Sequence, residues 1–136
     1  MRMLRYGLIV MTIILSCKTK GQNSCENKID SLSGKNIVER FDSAPIYPGG
    51  IPALNRFIVK NFNDNKNEPF QGEFKLVLII NSNGMIIHSR IDNKMPKNYT
   101  SGEKEMLRVI LLTPKWIPGK CGSDNVTCLI KHPIHF

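Results

Sequence analysis

The chain is poor in aromatic residues, at 7% with a single Trp, and poor in carboxylates, with 11 Asp plus Glu against 19 Lys plus Arg. It has no CxxC pair, no internal repeat and no low-complexity block. Its N-terminal apolar run, Tyr6 to Leu15, is half the about 20 residues that a bilayer-spanning helix needs. Scattered Lys and Arg with few aromatics between them argue against a nucleic-acid stripe. There is no Ser/His/Asp order in an activating context, no carboxylate pair on one element and no phosphate-cradling Gly loop. The sequence therefore reads as a non-enzyme with no catalytic residue. Without a CxxC pair, and with His132 and His135 on opposite faces of any strand that holds both, no metal or other cofactor is expected. What is present is ordinary globular material: 136 residues, 41% hydrophobic and 22% charged, enough for one core. The net charge of +8, two less without Arg2 and Arg5, favours acidic partners such as polyanionic polymers or lipid headgroups.

Residues 1–16 have the layout of an export signal: Arg2 and Arg5, the short apolar run, then Ser16. Ile14-Leu15-Ser16-Cys17 resembles the lipobox of bacterial lipoproteins, in which the Cys is acylated. That makes Cys17 the expected lipid attachment site, with membrane anchoring and no spanning helix. Leu15 stands where that box more often has a small residue, so plain secretion is the other reading. Residues 17–41 are polar and read as a lipid-anchored linker, with a coil reach of about 25 to 30 Å. Residues 42–136 form the expected domain. Beyond Cys17, Cys25, Cys121 and Cys128 make an odd set in a compartment that permits disulfides. Cys121 and Cys128 flank the turn signal Gly122-Ser123-Asp124-Asn125, but spacing alone does not settle a pairing.

Within the domain, Ile51, Leu54, Phe57, Ile58 and Phe62 fall on one helical stripe entered through Pro48-Gly49-Gly50. Phe74, Leu76, Leu78 and Ile80 alternate, and Asn83-Gly84 predicts a type I′ hairpin that pairs Ile80 with Ile87, Leu78 with Ser89 and Leu76 with Ile91. The other face pairs Val77 with Arg90 and Ile79 with His88. Thr100 and Glu103 spell a capping box ahead of Met106, Leu107, Ile110 and Leu111. Trp116 reads as a core plug. A last strand runs from Val126 toward Phe136, with Pro133 marking an edge or a bulge. The expected fold is α+β: two helices packed on one face of a small antiparallel three-stranded sheet.

Four segments carry a resemblance: Pro48-Gly49-Gly50 into Ala53-Leu54 and Phe57-Ile58; Gln71-Gly72 into Asn83-Gly84; Glu105 to Val109 followed by Pro114-Lys115-Trp116-Ile117-Pro118-Gly119-Lys120; and Pro133-Ile134-His135-Phe136. Together they resemble the TonB C-terminal domain family, energy transducers of the bacterial cell envelope. The resemblance implies the same fold, a place on the periplasmic face of the envelope, and capture of an extended peptide of an outer-membrane transporter by strand addition. Carried onto this sequence, the partner-binding edge is Val126, Thr127, Cys128, Leu129, Ile130 and Lys131. The same edge could pair two copies into a homodimer. The family's spanning anchor and Pro-rich spacer have no counterpart here, so capture of a membrane partner's peptide is the expected role. A true transducer for outer-membrane transport is one alternative. A cell-wall or anionic-polymer adaptor using Lys75, His88 and Arg90 on the open sheet face is another.

Overall fold

The computed structural model describes residues 25–63 and 72–135. The expected export signal of residues 1–16, the expected acylation site Cys17, Gln71 and Phe136 lie outside the described residues. The order is β1 (Glu26–Ile29), β2 (Asn36–Arg40), α1 (Gly50–Asn61), β3 (Glu73–Ile80), β4 (Ile86–Ile91), a 3₁₀ turn (Pro96–Asn98), α2 (Ser101–Leu111), β5 (Gly119–Cys121), β6 (Asp124–Val126) and β7 (Cys128–His135).

The class is α+β, but the sheet is mixed and five-stranded, in the order β1-β2-β7-β3-β4, with β5 and β6 as a separate hairpin. The expectation of three antiparallel strands is corrected by β1 and β2, which come from the segment read as a linker. They escape a reading of the sequence because each is short and β1 buries none of its residues. Their stability comes from contacts distant in sequence: Ile37 and Val38 of β2 are buried, and Val38 bridges Cys128 of β7 in parallel.

Both helices lie on one sheet face. The capping box is complete: Glu103 N donates to Thr100 Oγ1 at 3.1 Å and Thr100 N to Glu103 Oε2 at 2.9 Å. The buried stripe of α2 is Met106, Val109 and Ile110, while Leu107 only borders the core and Leu111 is exposed. In α1, Leu54 and Ile58 are fully buried, Phe57 and Phe62 border the core and Ile51 is half exposed. These residues pack on Phe74, Leu76, Leu78, Ile80, Ile91 and Ile134 from the sheet, with Tyr47 and Trp116 closing one end. Trp116 is the expected plug, 5% exposed, its ring T-shaped against Tyr47 and its Nε1 donating to Thr113 Oγ1 at 3.1 Å.

The hairpin pairs Leu76 with Ile91, Val77 with Arg90, Leu78 with Ser89 and Ile79 with His88 as read, but Ile80 pairs with Ile86, not Ile87. The turn explains the slip. Gly84 N donates to Asn81 O at 2.9 Å, which centres the turn on Ser82-Asn83, and Gly84 follows in the left-handed region at φ 82°. A type I turn followed by a left-handed Gly takes one more residue than the two-residue I′ turn, and the ladder absorbs it as a bulge.

The opposite face carries a second, smaller core of Ile37, Val77, Ile79 and Leu129. Asp30, just past β1, pairs with Arg90 on β4. Strands β2 and β4 are three spacings apart, about 14 Å, farther than this contact can reach along a flat sheet. The β1–β2 hairpin therefore leans across the face expected to be open. A disulfide between Cys25 and Cys121, with Cα atoms 6.0 Å apart, ties the start of that hairpin to β5. Among the described residues Cys128 is the free thiol, and it is buried.

Candidate functional site

Strand β7 runs antiparallel to β3 over its whole length, from Cys128 opposite Ile80 to His135 opposite Glu73. Its placement corrects the proposed edge residue by residue. Val126 belongs to β6 and pairs with Gly119. Thr127 O accepts from Val38 N at 2.8 Å, and the parallel Val38–Cys128 bridge also takes the Leu129 N–H. Cys128 is fully buried and Leu129 is 8% exposed. Among the described residues, β2 pairs with β7 at that one bridge alone.

The outer half of β7 is different. Asp92 N donates to Lys75 O at 2.7 Å, so the main-chain groups of Lys75 face β4. Pro133 stands opposite Lys75, so its nitrogen faces away from β3. Alternation turns the main-chain groups of Lys131 outward as well, along with the Leu129 carbonyl. A proline is tolerated there because no ladder partner needs its missing N–H, which agrees with the edge position read from the sequence.

Beside this margin the chain after β2 swings away. Asp42 N and Ser43 N both donate to Lys120 O, and Ile46 and Ile117 exchange two main-chain bonds of 3.0 and 2.8 Å. The divergence leaves a cleft of about 610 Å³ between Glu39, Phe41, Ala44 and Pro45 on one wall and Leu129 to His132 on the other. That size is within the range of small ligand clefts. Two smaller hollows, of about 330 and 230 Å³, adjoin it, and Lys131 lines all three. The Lys131 ammonium, 64% exposed, reaches Asp92 Oδ2 at 3.2 Å. His132 stands at the cleft with its imidazole pKa lowered by burial.

Of the three residues read as an anionic-polymer face, Lys75 is exposed while Arg90 and His88 are enclosed. Arg90 Nη1 and Nη2 donate to the two Asp30 oxygens, each at 3.0 Å, and both side chains are nearly enclosed. His88 Nε2 is buried without a hydrogen-bond partner, and burial, followed by the neighbouring Arg90, lowers its pKa. The Cys128 thiol is pushed up to about 11 by burial, which makes it a packing group and not a nucleophile. Among the described residues no helix is long and apolar enough to cross a membrane. The chain matches no protein-family model, no curated protein and no solved structure in comparisons with known proteins.

Proposed function

We propose that this chain is a peptide-capture module of the bacterial cell envelope, held on the periplasmic face by a lipid on Cys17. In this reading it binds an extended segment of a membrane partner, such as an outer-membrane transporter, as an added strand on β7. The observation that carries the reading is the outer margin of β7, which among the described residues pairs with β2 at the Val38–Cys128 bridge alone and borders a cleft of about 610 Å³. The resemblance to the TonB C-terminal domain is its second support. The binding residues shift outward from those read in the sequence, to Leu129 through its carbonyl and to Ile130, Lys131 and His132.

Vacant main-chain groups at a sheet margin are satisfied by an incoming strand, and pockets on either side select its side chains. Self-pairing is disfavoured. A two-fold contact centred on Lys131 sets like charges directly opposite and meets Pro133, which has no N–H to offer. A partner of different sequence suits the margin better than a second copy does.

Replacing Leu129 with proline would remove the N–H that bridges β2 and so damage the fold. Lys131→Pro removes an outward N–H and leaves the β3 ladder intact. Binding of short fluorescent peptides copied from transporter TonB boxes, followed by anisotropy, should weaken about tenfold in Lys131→Pro, the worth of one or two main-chain bonds. Lys131→Ala should change it little. Equal affinity in Lys131→Pro and the unaltered chain, with peptide bound to both, would end the strand-addition reading.

A further inference from the structure

We propose that the end of the molecule built around Tyr47 and Trp116 docks on an anionic lipid bilayer, independently of the peptide margin on β7. Three stretches carry no carboxylate: Ser43 to Asn63, Phe74 to Ile91 and Met106 to Ser123. The fold brings parts of all three to one place. Ile46 and Ile117 are joined by their paired main-chain bonds, Trp116 N donates to Gly84 O at 2.8 Å, and Gly50 N donates to Tyr47 O at 2.7 Å at the entry to α1. The end of α2 arrives there too, through the Thr113–Trp116 contact.

This end is apolar where it meets solvent. Ile46, Met85, Leu112 and Ile117 are each about half exposed, although the core beneath them is complete. Cations stand nearby: Lys115 is exposed beside Ile117 and Arg56 is exposed on the second turn of α1, whereas Lys60 on its last turn lies toward Phe74 and the far end. Most of the acids stand elsewhere, and of the two on the adjoining β5–β6 hairpin side Asp42 accepts from Gly122 N while Asp124 stands opposite Cys121. Glu73, Asp92 and Glu103 lie at the far end of the β3–β4 ladder, and Glu103 and Asp92 already hold Lys94 and Lys131. The eight residues of β3 separate the two ends by about 25 Å.

Half-exposed aliphatics flanked by cations complement a surface that is apolar below and negative on top. A bilayer with anionic headgroups has that profile. Each Lys or Arg brought close to such a surface strengthens binding about fivefold, and aliphatic insertion adds a salt-insensitive part. The chain also enters the body on this side. Cys25, which follows the apolar run Tyr6 to Leu15 and Cys17, is bonded to Cys121, close in sequence to Ile117. Docked this way, the outer half of β7, which pairs with Lys75 to Val77 nearer the acidic end, points away from the lipid.

The test uses the full-length chain reconstituted in vesicles of phosphatidylcholine alone or of phosphatidylcholine with phosphatidylglycerol, so that any N-terminal anchoring is common to both. Amide hydrogen exchange should slow about fivefold or more in the segments 45–51, 82–86 and 111–117 on the anionic vesicles only. The double variant Lys115→Glu with Ile117→Glu should lose that protection while keeping the near-ultraviolet dichroism of buried Trp116. Arg56→Glu, away from the Trp116 core, should weaken it in the same direction. Equal exchange on the two kinds of vesicle would overturn the proposal. So would the same protection produced by a soluble polyanion on phosphatidylcholine vesicles, because the aliphatic residues would then contribute nothing.

Discussion

Asp30 shows how one side chain can hold an element in place. Burial alone would raise its pKa, but the Arg90 guanidinium and the Ser33 hydroxyl and N–H all donate to its carboxylate and lower the pKa from 3.8 to about 2. A folded-state pKa below the unfolded one means stability that is present above the unfolded value and lost as pH falls through the folded one. The contribution is about 2 kcal/mol, present near neutrality and lost between about pH 4 and pH 2. His88 acts with the same sign at higher pH. Its imidazole is buried neutral beside Arg90, so acidification below its ordinary 6.5 favours the unfolded chain. Urea denaturation across pH should therefore show Asp30→Asn less stable than the unaltered chain at neutrality, with the difference closing toward pH 2. A constant difference across that window would mean that Asp30 acts through packing and not through its charge.

At the scale of elements, local chemistry and distant partners account for different parts of the fold. Both helices were legible because their signals are local: Thr100 with Glu103 caps α2, and Gly49, at φ 86°, opens α1. The β3–β4 register was legible up to the turn. There Asn83-Gly84 suggested I′, while Asn81 Oδ1 accepts from Asn83 N and Met85 N and stabilises the longer turn instead. The β1–β2 hairpin was not legible, since nothing within Glu26 to Arg40 announces that Ile37 will be covered by Leu129, Val77 and Ile79 or that Val38 will be buried. The candidate site inherits that gap. The last strand was found, but without β2 its inner half looked as open as its outer half. Gly84 is a position where turn and core meet, because a Cβ there would run into the Trp116 main chain as well as a left-handed φ. Gly34 shares the left-handed φ, at 69°, but its Cβ would meet open space. Gly84→Ala should cost about 3 kcal/mol or more and Gly34→Ala about 1 kcal/mol in urea denaturation. Equal costs would show that the Trp116 approach relaxes freely.

For the whole molecule, charge and covalent linkage are arranged along the same axis. The apolar end holds the Tyr47–Trp116 plug, the acidic end holds the cap of α2, and the outer margin of β7 leans toward the latter. The Cys25–Cys121 bond joins residues 96 positions apart and closes nearly the whole folded body into a loop. On the loop-entropy account, a loop of that length restricts the unfolded chain enough to stabilise the fold by about 4 kcal/mol. In the native state its reach is smaller. It joins the start of β1, a strand that buries no side chain, to the end of β5, and neither cysteine belongs to a helix or to the β3–β7 ladder. Replacing both cysteines by serine should therefore lower global stability by about 4 kcal/mol and let the amides of β1 exchange freely. Protection in β3 and β7 should persist under conditions where the variant stays folded, because Phe74, Leu76, Leu78 and Ile80 remain sealed beneath α1 and α2. Hydrogen exchange on the oxidised chain and the double variant checks this. If protection in β3 and β7 collapses together with that of β1, the N-terminal hairpin is integral to the main core and not a separately held layer across the far face of the sheet.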